Sequence, residues 1–400
     1  MAILAAGVLV PVTDAVALWD DRLELFVAQM VTRDDNVFRL SAARDPAAVL
    51  GTSSKGDTYH TTSLGFNLDV PVSRQRVQAG WVWNNTRYNR YTALSSDGHY
   101  GRAAWLWQIG SDLGGQLGYT EALALASLAN AQGGVQSSTA NFLTTRRAFF
   151  NAEYGLTSRW RYGGEVSRIR QTSSFPAFRV NDVSIDGADL TASYSTRANN
   201  RVGIRLGVEE GRFPNRQAVA GNFFDNAYRQ RRAVVVADWT ITGASHASVR
   251  AGWVSRSHEQ LAQRDFEDAT VHAAYDWKPT GKLSLSAVAQ RDVSPLDDLY
   301  SRSVLVTGIA LHPELRLTEK TVIRGALEYS QRDYLSDPAL ALGAAPNRSD
   351  RVRSAAVMVF YRPVRPVTLQ IALQRETRSS TVAFGDYMFN IVNVSARIGF

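Results

Sequence analysis

The 400-residue chain contains no cysteine. A disulfide framework, a thiol nucleophile and a cysteine-ligated metal centre are therefore excluded. The absence suits a protein that crosses an oxidising periplasm unfolded, where stray bridges would trap it. Long apolar runs are also missing. No segment has eighteen consecutive apolar residues, so a membrane-spanning helix is excluded by length. The longest such run, Ala2 to Val12, is followed by Ala15-Val16-Ala17. This reads as the apolar region and small-residue cleavage site of an export signal without its positively charged start. Residues 1–17 are thus expected to be a signal-peptide remnant and 18–400 a single domain. Lysine is scarce as well: only Lys55, Lys278, Lys282 and Lys320 occur, against forty arginines, in a chain of net charge +7. Arginine supplies planar, hydrogen-bonded charge, so the bias points to charges held against partners. Basic residues are spread along the chain with acids between them, which argues against a nucleic-acid partner.

What the chain does have, from end to end, is a period of two. Val202, Ile204, Leu206 and Val208 alternate with Arg201, Gly203, Arg205, Gly207 and Glu209. Ala103, Trp105, Trp107 and Ile109 share one parity, and Val392, Val394, Ala396, Ile398 and Phe400 form another such row. No convincing helical spacing interrupts the pattern. Strands are expected near 22–31, 59–70, 75–88, 99–109, 116–126, 144–155, 160–171, 186–195 and 201–210. The series continues near 228–240, 246–257, 265–277, 283–293, 301–312, 321–332, 351–361, 367–378 and 389–400.

The gaps between them alternate. Short ones, such as Thr196–Asn200 and Lys278–Lys282, are followed by longer polar stretches such as 32–58, 127–143, 172–185, 211–227 and 333–350. Antiparallel strands with tight turns at one end and long loops at the other produce this rhythm. Lipid offers no partner for a bare N–H or C=O, so a sheet can span a membrane only when it closes on itself. The expected fold is all-β: a transmembrane up-and-down antiparallel β-barrel of about eighteen strands, sixteen as the fallback, in the bacterial outer membrane. Trp107, Trp160, Trp239 and Trp277 lie on the apolar parity close to short turns, where a periplasmic aromatic girdle belongs. Phe400 ends its apolar row and reads as a girdle residue and as a signal to the barrel-assembly machinery. The surrounding partners would be outer-membrane lipid and lipopolysaccharide.

The other parity faces the lumen. It carries Arg76, Arg102, Arg147, Arg161, Arg201, Arg205, Arg232, Arg250, Arg324 and Arg397, with Glu153, Glu165, Glu209, Asp238, Asp268, Asp276 and Glu328 among them. Two readings compete: arginine–carboxylate ladders that brace the wall, or a track of donors for a permeating solute. Catalytic signals are few. Of six histidines only His272 falls clearly on the inward parity at mid-strand. Asp97-Gly98-His99 and Ser257-His258-Glu259 are rim positions, but no nucleophile or phosphate-binding motif accompanies them. No enzyme activity, cofactor or metal is expected; Asp34-Asp35-Asn36 and Asp297-Asp298 are at most weak calcium candidates. An inward-folding loop, 127–143 or 211–227, is expected to constrict the pore.

Several stretches resemble one family, the EpsL-type outer-membrane barrels encoded with exopolysaccharide biosynthesis genes. They are DDNVFRL from Asp34, RAAWLWQ from Arg102, ADWTITGAS from Ala237, QRDF from Gln263, YDWKPTGKLSLS from Tyr275, DRVRSA from Asp350 and QRETRSS from Gln374. The resemblance covers nearly the whole chain and carries no catalytic residues. It implies a passive exit channel for an exopolysaccharide, fed by periplasmic or inner-membrane export components. The residues alone fit a different class equally: a general or anion-preferring porin for small solutes. A non-conducting structural barrel would share the same pattern.

Overall fold

The computed structural model describes residues 22–126, 128, 140–216, 227–260, 262–294, 301–336 and 348–400; the signal-remnant reading of 1–17 lies outside them. Eighteen strands follow one another along the chain. The first nine are β1 (Leu23–Asp34), β2 (Asp57–Val72), β3 (Gln75–Tyr88), β4 (Ser96–Ile109), β5 (Leu113–Leu125), β6 (Phe142–Tyr154), β7 (Trp160–Ser173), β8 (Val183–Ser195) and β9 (Arg201–Arg212). The other nine are β10 (Tyr228–Thr242), β11 (Ser245–His258), β12 (Phe266–Trp277), β13 (Leu283–Ser294), β14 (Ser301–Arg316), β15 (Thr321–Ser336), β16 (Arg348–Tyr361), β17 (Val367–Ser380) and β18 (Tyr387–Gly399). Each pairs antiparallel with its neighbours in sequence, and β1 also pairs with β18, so the sheet closes and has no free edge. One short helix, α1 (Pro46–Leu50), lies between β1 and β2, capped by the Asp45 side chain and ended by Gly51 at φ 70°.

The period of two decides the wall's two faces. One parity presents large apolar side chains to the outside, the reverse of a soluble protein's arrangement: Leu190, Ile204, Leu206, Val235, Ile309, Leu327 and Ile371 are all exposed. A contiguous exposed apolar surface of that extent needs lipid around it. At the short-turn end stand Trp160, Trp239 and Trp277, at 52%, 44% and 43% exposure, and Trp107, which stacks on Phe150 with ring centroids 5.8 Å apart. The strands run 12 to 16 residues. That exceeds the 9–11 or so a tilted strand needs to cross the hydrocarbon, so their loop-side ends rise into the headgroup region and beyond.

The closing seam is built from both faces. Phe400 and Leu25 exchange backbone hydrogen bonds of 2.8 and 3.2 Å. On the inner face Arg397 (β18) pairs with Glu24 (β1), lies 4.3 Å over the Phe26 ring, and is nearly buried. Phe26 in turn covers Gly65, directly opposite on β2; a Cβ there would come within 2.5 Å of the ring. Glycine at 65 is the space into which that ring packs. The turns at the periplasmic end are held by side chains. Asp112 accepts from the Thr157 N–H at 2.9 Å and from its hydroxyl at 2.8 Å, which holds its carboxyl below the usual carboxylate range. Gly155, at φ 90°, lets the β6–β7 chain bend against the Trp160 carbonyl, where a Cβ would not fit.

Candidate pore and its mouth

The inner parity is polar, and its arginines fall into two kinds. Six of those expected to line the lumen hold a carboxylate. Arg76 pairs with Asp69, Arg147 with Glu165 (2.7 Å), Arg161 with Glu153 (3.3 Å), Arg324 with Glu314 (2.7 Å) and Arg397 with Glu24. Arg232 bridges Asp189 and Glu209, at 3.3 and 3.4 Å. These are cross-strand braces. Arg102 (β4), Arg205 (β9) and Arg250 (β11) share the inner face but have no carboxylate partner among the described residues; Arg205 donates only to the Thr191 hydroxyl, at 3.3 Å. The two readings of the lumen arginines therefore divide residue by residue: six brace the wall, and four, Arg201 (β9) with these three, have no carboxylate ion pair among the described residues.

The wall across the lumen differs. In a closed barrel of eighteen strands, those nine apart face each other, so β4, which carries Arg102, looks toward β13. There the inner face recesses into a bay of about 730 Å³ toward the periplasmic end, lined by His246, Asp276, His312, Glu314, Arg324 and Glu328. Ala326, Ala356 and Ala372 are the small inward residues that open it. Asp238 lies 3.2 Å from the His246 ring and Glu328 lies 3.6 Å from that of His312. Carboxylates and imidazoles thus gather opposite Arg102, while Arg250 stands on the same strand as His246 of the bay.

The β1–β2 loop packs at the mouth. The expected constrictions, 127–143 and 211–227, fall largely outside the described residues, at 127, 129–139 and 217–226. Among the described residues, Val37, Phe38 and Leu40 of the first loop form a buried cluster with Leu94, against Tyr88, Tyr91, Leu128 and Ala140. Asn36 fixes the chain: its side-chain amide donates to the Leu40 and Met388 carbonyls, both at 2.9 Å, and its oxygen accepts from the Leu40 N–H. Arg39 pairs with Asp34 at 2.7 Å and stacks 3.6 Å over Phe389, an inward residue of β18. The Ser41 hydroxyl donates to Asp386 at 2.9 Å. Residues 36–41 therefore lie against the inner wall at the extracellular end. The Asp34-Asp35-Asn36 calcium candidate is used up in this scaffold, since Asp35 is taken by Asn390, and Asp297-Asp298 lies outside the described residues.

Sequence reasoning missed part of the inner face. Beside His272 at mid-strand, His246, His258 and His312 also fall on the inward parity, nearer the strand ends. Of the two rim candidates, His99 faces outward and stacks on Trp81 at 4.7 Å. His258 is buried against Tyr228, with Asp265 at 3.2 Å, so no solute reaches it. Arg256 is 4% exposed, 4.0 Å over the Tyr228 ring and hydrogen-bonded to Gln230. Asp350 is fully buried and accepts from Arg348 and Ser380.

Known proteins agree with this architecture. A family profile described as "Putative beta-barrel porin 2" matches residues 229–400. No curated protein matches the chain. Among solved structures, OpdK of Pseudomonas aeruginosa, crystallised with vanillate, is similar over 94% of this chain and 99% of its own, at 11% identity and a TM-score of 0.50. OccK2 (OpdF) of the same organism, in complex with glucuronate, covers 96% and 100% at 10% identity and a TM-score of 0.51. At such identity the likeness speaks for the fold. Closed topology, apolar exterior and these matches together make the chain a porin-like barrel of the bacterial outer membrane.

Proposed function

We propose that the barrel is a passive channel for small anionic solutes, carboxylates above all. The observation that carries this reading is the set Arg102, Arg205 and Arg250, three inward guanidiniums with no carboxylate partner among the described residues. A guanidinium offers a planar donor fork that suits a carboxylate, and three spaced along the wall give shallow, successive binding steps rather than one trap. Barrels of this strand number leave an aqueous bore. The two porins similar in fold were crystallised with vanillate and with glucuronate, both carboxylates, which supports the same class of solute here. The exopolysaccharide-export expectation draws no such support. A polymer would also have to thread the mouth past the packed 36–41 segment.

The test is ion selectivity in a planar bilayer, read as the reversal potential across a KCl gradient. The wild type is expected to prefer chloride. The triple variant Arg102→Gln, Arg205→Gln, Arg250→Gln should lower the anion-to-cation permeability ratio about threefold, an effect largest at low salt. A cation-preferring wild type, or a triple variant with unchanged selectivity, would overturn the reading. Periplasmic trapping of an exopolysaccharide in a deletion strain would restore the export reading in its place.

A further inference from the structure

The outside of the barrel carries a feature that neither transport nor the fold requires. An apolar furrow of about 810 Å³ crosses the lipid-facing wall from β11 to β16. Its floor is made of small side chains, Ala247, Ala273, Ala287 and Ala289, and its banks of Tyr275, Ile309, Leu311, Leu327 and Tyr329. Register shows how it runs. Val249, Ala273, Ala289, Ile309, Tyr329 and Arg353 are successive cross-strand partners, one per strand. On β11 this row lies near the periplasmic turn, and on β16 it lies near the extracellular end. With strands tilted about 35–45°, such a row descends from headgroup level at Arg353 into the hydrocarbon. Five inter-strand steps of about 4.8 Å make it roughly 24 Å long, enough for an extended acyl chain.

The upper end is cationic. Arg351 and Arg353 both stand on the outer parity of β16, and Arg375 stands on that of β17, opposite Ala355. None has a carboxylate partner among the described residues; Arg375 contacts only the Met388 sulfur, at 3.0 Å. The outward carboxylate on the adjoining strand, Asp333, is already taken by Gln331 and Ser349. Exterior arginines elsewhere, Arg170 and Arg231 among them, also lack a carboxylate ion pair among the described residues, but neither of these two lines the furrow. The exterior arginines Arg146, Arg168, Arg212 and Arg229 each hold Glu121, Asp186 or Glu210. Three uncompensated guanidiniums at the head of an apolar furrow match a ligand with an anionic head and a hydrocarbon tail. We propose that this furrow is a specific site for a phosphate-bearing acylated lipid of the outer leaflet. The phosphate sits among Arg351, Arg353 and Arg375, and one acyl chain lies along the alanine floor. The inference is independent of what the lumen conducts.

Native mass spectrometry of the detergent-purified barrel tests it, with lipid A, its dephosphorylated form and inorganic phosphate as probes. The wild type should retain lipid A at least roughly tenfold better than the dephosphorylated lipid. Arg351→Gln, Arg353→Gln, Arg375→Gln should abolish that preference. Ala289→Phe, which fills the furrow and keeps the arginines, should weaken both lipids together. Unchanged channel conductance would show that each variant is folded. Equal retention of the two lipids, or a preference that survives the triple variant, would overturn the proposal. So would competition by millimolar inorganic phosphate alone, which marks a free-anion site, or a dimer that dissociates in the Ala289→Phe variant, which marks an interface between copies of this chain.

Discussion

Excising residues 37–55, with Asn36 joined to Gly56 through a short Gly-Ser linker, is expected to raise single-channel conductance about fivefold. The excision is geometrically mild. The Val37 N–H donates to the Lys55 carbonyl at 2.9 Å, so the two ends of the loop already meet. What it removes is the obstruction: the Val37, Phe38 and Leu40 cluster, with Arg39 seated over the inward Phe389. Conductance follows the narrowest cross-section, and in the described residues this segment is what leans over the bore. A gentler variant separates position from mere presence. Phe38→Ala removes the ring that meets Tyr91 edge-on at 4.7 Å. Large-to-small changes at such buried sites cost about 3–5 kcal/mol, here borne by the packing of the loop alone. That variant should flicker between the wild-type level and the excised level. Conductance unchanged in the excised, correctly folded barrel would place the constriction elsewhere.

The fold was legible because lipid imposes a strict rule on each strand. An outward residue must be apolar, so parity announces itself without an alignment, as Val202, Ile204, Leu206 and Val208 do against Arg201, Arg205 and Glu209. Gap lengths gave the topology for the same reason, since the two sides of the membrane demand different connections. Ends were less legible. β14 and β15 run on to Arg316 and Ser336, past the point where alternation fades, because beyond the hydrocarbon the outer face can be polar. That is also why the arginines at 351, 353 and 375 did not declare themselves as outward. Parity alone could not say which lumen arginines brace and which are free, because Arg147 and Arg102 look alike in sequence. Glu165 settles the first, whereas among the described residues the second has no ion pair and only a longer-range interaction with Asp69, which Arg76 holds. The mouth was legible only in part. Length marked 127–143 and 211–227 as the constricting loops, and these lie largely outside the described residues; the 36–41 segment packs at the mouth by composition, with three apolar residues and an Asn that satisfies its own turn.

The largest effect on stability is expected at the seam, from Arg397→Ala. β1 and β18 meet there, and closure is what removes the sheet's edges. Arg397 and Glu24 are both about nine-tenths buried, with 9% and 11% side-chain exposure, and Glu24 also accepts from Asn67 at 2.9 Å. Removing the guanidinium leaves an uncompensated buried carboxylate and uncovers the Phe26 ring. Breaking a buried pair this way costs about 3–5 kcal/mol. The midpoint of urea unfolding in lipid vesicles should fall accordingly, with the slope unchanged. The paired variant Arg397→Met with Glu24→Leu is the informative partner, because an apolar pair of similar bulk involves no charge desolvation. It should recover most of the loss, as replaced buried ion pairs often do. Recovery would assign the cost to the stranded Glu24. If instead the double variant is as unstable as Arg397→Ala, the stacking of Arg397 on Phe26 above Gly65 is what holds the seam, and Gly65→Ala, which displaces that ring, should then be equally damaging. A loss below about 1 kcal/mol in Arg397→Ala, the range of exposed surface pairs, would mean that water reaches the seam and that closure rests on its backbone ladder alone.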